Sequence, residues 1–128
     1  MTTPIRLTVP ATPTWVVLIR TATTAVCARQ DFSIDRLDDL RLAVDEVASM
    51  LIKDAVPDSV IECELLPGDD GRLDVTLSSH TKAGVLPATN SFSWTVLTAL
   101  VDDVTATVDA NRLSIHLRAS ASENTVDA

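Results

Sequence analysis

Few side chains in this sequence could do chemistry, and the most suggestive is Glu46, beside Asp45 in the run Asp38-Asp39-Leu40-Arg41-Leu42-Ala43-Val44-Asp45-Glu46. A helical carboxylate can act as a general base when a hydroxyl or water lies within reach. The same position also reads as solvated acidic helix surface. His80 and His116 are single histidines without a ligand partner at helical or hairpin spacing, so no metal site is expected. Cys27 and Cys63 each stand alone in an apolar stretch and read as reduced, packed thiols. Arg20 is different, because at helical spacing it shares a face with Val16 and Val17. Arginine beside exposed aliphatics has the composition of an interface anchor, although it also describes a surface arginine lying over its aliphatic neighbours.

The elements that must position these residues follow from periodicity. Ile5 to Val9 alternates apolar and polar as a half-buried strand, stopped by Pro10. With Thr12 as cap and Pro13 at the first helical position, a helix is expected to about Arg29. Trp15, Leu18, Ile19, Ala22 and Val26 form its buried stripe, leaving Val16, Val17, Arg20, Thr24 and Cys27 outward. A second helix is capped by Ser33 or Asp35 and carries the stripe Leu37, Leu40, Val44, Val47 and Leu51, with Pro57 ending it. Strands at Ser59 to Leu66 and Leu73 to Leu77 flank the turn Pro67-Gly68-Asp69-Asp70-Gly71 and form a hairpin. Ser78 to Ser91 lacks a period and reads as a long loop, mobile around Lys82 to Thr89. A helix at Phe92 to Val101 and strands at Val104 to Val108 and Leu113 to Leu117 follow, with a turn at Asp109-Ala110-Asn111.

This order predicts a two-layer α/β sandwich, a mixed, mainly antiparallel sheet covered on one face by three helices. Residues 1–118 form the domain and 119–128 a flexible tail. The 128-residue chain is 46% hydrophobic and 22% charged, enough apolar material for one packed core. Its formal net charge of −8 and scattered basic residues argue against a nucleic-acid or anionic-membrane surface. The start is too polar for a signal peptide and no stretch suits a membrane helix, so a cytoplasmic location is expected.

The run Asp38 to Glu46, followed by Ser49-Met50-Leu51-Ile52, resembles the first nucleotide-box helix of bacterial anti-sigma-factor serine/threonine kinases, small relatives of the histidine-kinase and Hsp90-type ATPase fold. Ser91-Phe92-Ser93-Trp94-Thr95-Val96-Leu97-Thr98-Ala99-Leu100-Val101-Asp102-Asp103-Val104 is similar to mycobacterial members of that group. The resemblance covers roughly Ile5 to Arg118. It implies that Glu46 occupies the position of the catalytic base. An asparagine that holds Mg²⁺ in the family is Met50 here, and a thioether suits a hard cation poorly. The adenine-reading aspartate and its glycine align with Ser79 and Thr81, and the phosphate-loop glycines with Ser91 and Ser93. With metal ligand, adenine anchor and glycines all replaced, phosphoryl transfer lacks its positioning groups. Glu46 then reads better as surface than as a base, and Met50 as packing at the edge of the core.

The resemblance implies binding rather than catalysis. The expectation is an anti-sigma factor that sequesters a stress or sporulation-type sigma factor and is released by an anti-sigma-factor antagonist, with Arg20 contacting both partners. A homodimer is implied, and ATP with Mg²⁺ enters only through the family pattern. A kinase that phosphorylates the antagonist through Glu46 is the enzymatic alternative, and a decoy that binds only the antagonist is the third.

Overall fold

The computed structural model describes residues 3–122 of the chain. Strand β1 (Ile5–Pro10) leads through a 3-10 turn (Pro13–Trp15) into helices α1 (Val16–Arg29) and α2 (Ile34–Lys53). Strands β2 (Val60–Pro67) and β3 (Arg72–His80), helix α3 (Phe92–Leu100) and strands β4 (Asp103–Asp109) and β5 (Arg112–Ser120) complete the chain. The five strands form one sheet in the order β1-β2-β3-β5-β4. Every pairing is antiparallel, so the sheet expected to be mainly antiparallel is wholly so.

Alternation sets which side faces the helices. Cys63 pairs with Leu77, and Leu77 with Ile115. Leu65 pairs with Val75, and Val75 with Leu117. All of these are buried, together with Leu40, Val44, Val47 and Leu51 of α2 and Ile19 of α1. The residues between them form a polar outer face. There Asp74 accepts a hydrogen bond from Arg118 Nε at 3.0 Å and lies 2.8 Å from His116 Nε2, while Arg112 pairs with Glu62 across β3. Burial pushes the Cys27 thiol up to about 12. It does the same at Cys63, where Glu64 adds a smaller rise.

Helix α2 forms as its sequence directs: the Ser33 hydroxyl accepts the Arg36 amide at 3.2 Å, Asp35 lies in the first turn, and one stripe is apolar. It ends at Lys53, ahead of Pro57, because Val56 N–H turns aside to bond His80 O at 3.0 Å. Helix α1 is rotated from the expected stripe. Val16, Ile19, Thr23 and Cys27 face the core, whereas Trp15 and Leu18 are 44% and 43% exposed. Val16 and Cys27 were expected outward and are buried. The helix is apolar on several sides, so its phase is decided by the sheet and α2 rather than by its own pattern.

Two other boundaries move. Strand β3 continues through Ser78, Ser79 and His80, which pair with Ser114, Leu113 and Arg112 of β5. The segment expected as loop from Ser78 therefore starts later. Strand β5 runs to Ser120, and Ala119 is buried opposite Leu73, so the tail expected from Ala119 starts at least after the strand. Residues 123–128 of that tail lie outside the described residues.

Candidate functional site

Apart from Ser79 and Thr81, the sequence-derived site residues fall into two groups on either flank of α2. The first lies between α2 and α3. Ser91 caps α3, its hydroxyl accepting the Trp94 amide at 3.2 Å. Two residues on, the Ser93 hydroxyl donates to Glu46 Oε2 at 2.6 Å, a short charge-assisted bond across 47 residues of sequence. Glu46 is thus fastened to the start of α3, where a carboxylate also suits the positive end of the helix dipole. Met50, one turn further along α2, is half-buried and packs against the core.

Ser79 lies near the end of β3 and Thr81 one residue past it, and the structure does not bond them to Glu46 or Ser93. Ser79 is 1% exposed and its hydroxyl has no hydrogen-bond partner among the described residues. The Thr81 hydroxyl donates to Asn111 O at 3.3 Å and accepts the Gly84 amide at 3.1 Å. The chain beyond is tied to the end of α2: Lys82 N–H bonds Asp54 O at 2.8 Å and Ala83 N–H bonds Asp54 Oδ2 at 3.2 Å. Gly84 adopts a positive φ of 63° there, a conformation that suits a residue without Cβ. Val85, Leu86 and Phe92 carry exposed apolar side chains around this segment.

The second group lies between α1 and α2. Arg20 does not point freely outward as expected; its Nε–H is shared by both Asp45 oxygens, at 2.9 and 3.2 Å. The pair stays half in water, with side-chain exposures of 37% and 35%. On one side of it is a groove of about 520 Å³ lined by Pro13, Val16, Ser49, Ile52 and Lys53. On the other is a groove of about 490 Å³ lined by Thr21, Thr24, Ala25, Leu37, Asp38 and Arg41. Val17 remains on the surface at 46% exposure, next to Trp15 and Leu18. Val16 instead lines the groove wall. The role of Asp45 is not legible in the sequence, because its partner lies on another helix and no local spacing announces a pair 25 residues apart.

No protein-family model matches the chain. Over 87 residues, 68% of its length, it is 42% identical to the anti-sigma-F factor RsbW of Mycobacterium tuberculosis, in both strain CDC 1551 / Oshkosh and strain ATCC 25618 / H37Rv. The chain is a homologue of the RsbW anti-sigma factors. The matched segment spans 51% of those relatives, so the chain covers about half of their length. The fold agrees: the RsbU and RsbW domains of Rv1364c from M. tuberculosis superpose with a TM-score of 0.70 over 92% of this chain and 32% of that one, at 16% identity. The histidine kinase domain of the Erythrobacter litoralis EL346 blue-light activated histidine kinase gives 0.59 over 88% of this chain and 62% of that one, at 13% identity. The chain therefore has the histidine-kinase-like ATPase fold. Among its described residues no helix is long and apolar enough to cross a membrane, and no group of histidine, cysteine and acidic side chains could hold a metal ion.

Proposed function

We propose that the chain is a cytoplasmic anti-sigma factor of the partner-switching type, which sequesters a stress or sporulation-type sigma factor and releases it when an anti-sigma-factor antagonist competes for the chain. The carrying observation is the 42% identity to proteins named anti-sigma-F factor. The surface of α1 supports it. Val17 is exposed about a turn from the half-exposed Arg20, and apolar area next to a planar cation is the composition of a binding hot spot, while Trp15 and Leu18 are exposed on the other side of the helix start. A homodimer belongs to the same reading, by analogy with the family, and the charge of −8 favours protein partners over nucleic acid or anionic lipid.

In this reading binding needs no nucleotide. ATP with Mg²⁺ fits the residues present poorly: Met50 offers sulfur where a hard cation takes oxygen, and Ser79 is enclosed in the sheet with no carboxylate. Ser93 carries a side chain where the family has bare glycine, and its hydroxyl engages Glu46. A kinase reading would require Glu46 to leave that bond before it could activate a hydroxyl of the antagonist.

The test immobilises the chain and offers each alternative sigma factor of its source organism, followed by antagonist. One sigma factor is expected to bind with a dissociation constant of about 1 μM or tighter, equivalent to roughly −8 kcal/mol. The antagonist should then displace it. Binding of the antagonist with no sigma factor bound would replace this reading with the decoy.

A further inference from the structure

We propose that Asp45 and Ser93 are positioning residues: Asp45 presets Arg20 on the partner-facing side of α1, and Ser93 holds Glu46 as a built-in anion at the start of α3. The inference deepens the function proposed above and rests on it only for what α1 is used for.

Consecutive helical residues diverge by about 100°, since a turn holds roughly 3.6 residues. The neighbouring carboxylates of Asp45 and Glu46 therefore leave α2 toward opposite flanks. One meets Arg20 of α1 at 2.9 Å and the other meets Ser93 of α3 at 2.6 Å. A single point on α2 thereby ties down both of its neighbouring helices.

On the α1 flank, Asp45 engages Nε of Arg20, and the described residues offer no hydrogen-bond partner to its two terminal nitrogens. Arginine carries five donors, so a guanidinium held by Nε alone still presents a fork of donors between the two grooves. A free arginine loses considerable rotamer freedom when a partner captures it, and Asp45 removes part of that cost beforehand. On the α3 flank, the amides of a helix start attract an anion. Glu46 supplies one from within the chain, so α3 is set without an external phosphate.

The test uses the free full chain and two local signatures. The first is the Arg20 Nε–H resonance, which in the wild type should be resolved and slow to exchange with water. It should be lost in Asp45→Ala, be partly kept in Asp45→Asn, and be untouched by Ser93→Ala. The second is amide exchange over Ser91 to Thr95, which should rise about tenfold in Ser93→Ala, as expected for loss of one hydrogen bond to a charged group. Ser93→Thr, which keeps the hydroxyl, should keep exchange slow, and Glu46→Gln, which keeps an acceptor but loses the charge, should give an intermediate rate. Thermal melts identify any variant that fails to fold, and the conservative variants carry the comparison in that case. An unchanged Arg20 signal in Asp45→Ala, or unchanged α3 exchange in Ser93→Ala, overturns the corresponding half of the proposal.

A partner arm uses the sigma factor selected above: Asp45→Ala should weaken its binding about threefold to tenfold, while Asp45→Asn should fall between it and the wild type. Equal affinity despite a lost Arg20 signal overturns the presetting role. Should no sigma factor bind, the two signatures still decide the positioning geometry on their own.

Discussion

The two flanks of α2 are built from the same kind of contact, part-buried in both cases, and differ in what surrounds it. Toward α1, the Arg20–Asp45 pair is half-exposed between open grooves, with exposed Val17 about a turn away. Toward α3, Glu46 is closed onto Ser93 and Met50 packs against the core. Exposed polar pairs contribute little to stability, commonly below about 1 kcal/mol, so the first contact is free to serve recognition. The second contact occupies Glu46 and Ser93, positions that the resemblance to the family assigns to a nucleotide site. In our reading the fold has kept the face that meets proteins and has filled the place where the family meets ATP.

Four substitutions or conditions sharpen or break this contrast. The largest effect is expected from Leu51→Ala. Leu51 is fully buried in α2, and the cavity should cost about 3 kcal/mol of stability. Both flanks should loosen together, because they share that helix. A chemical denaturation curve measures it, and a loss below about 1 kcal/mol would mean that α2 is not the common support.

Alkaline titration probes the layer beneath α1. Cys27 and Cys63 hold their protons up to about pH 12, against an ordinary value of 9.0. The folded state thus binds protons that the unfolded chain releases, so stability is complete below pH 9 and falls as the pH climbs toward 12. Denaturation midpoints between pH 8 and 11 check the slope, and alkylation of the folded protein by iodoacetamide should be slow.

Arg20→Ala should weaken sigma-factor and antagonist binding by about 2 kcal/mol, or roughly thirtyfold. It should leave the melt nearly unchanged, since the pair is half in water. Lysine should restore only part of the affinity, because it lacks the planar fork. Unchanged affinity for both partners would take Arg20 out of the interface and leave the exposed apolar residues of α1 to a dimer contact.

The smallest effect belongs to the α3 cap: Ser91→Ala should cost about 1 kcal/mol, the usual value of an N-cap hydroxyl. A larger loss would show that the start of α3 depends on more than its cap and Glu46.

What the sequence discloses depends on whether neighbours decide the outcome. Helix α2 was legible because its cap, its first-turn acid and its apolar stripe all agree. Helix α1 was not, since apolar residues surround it and the choice between Trp15 with Leu18 and Val16 with Cys27 is made by the sheet. The full length of strand β3 is not legible, because Ser78 and Ser79 are both buried and polar, which breaks the alternation that marks a strand. Of the site, Glu46 and Arg20 were recognisable through resemblance to the family. Their partners Ser93 and Asp45 were not legible as partners, because each lies on a different helix and side-chain pairing across helices leaves no periodic trace.

The central claim, that this chain binds its sigma factor without nucleotide, is tested most directly by calorimetry of sigma factor into the chain with and without ATP and Mg²⁺. The account predicts the same dissociation constant in both conditions, within about twofold, and no heat of ATP binding tighter than about 10 μM, or roughly −7 kcal/mol. Sigma binding that appears only with ATP, or ATP binding tighter than that limit, would contradict it.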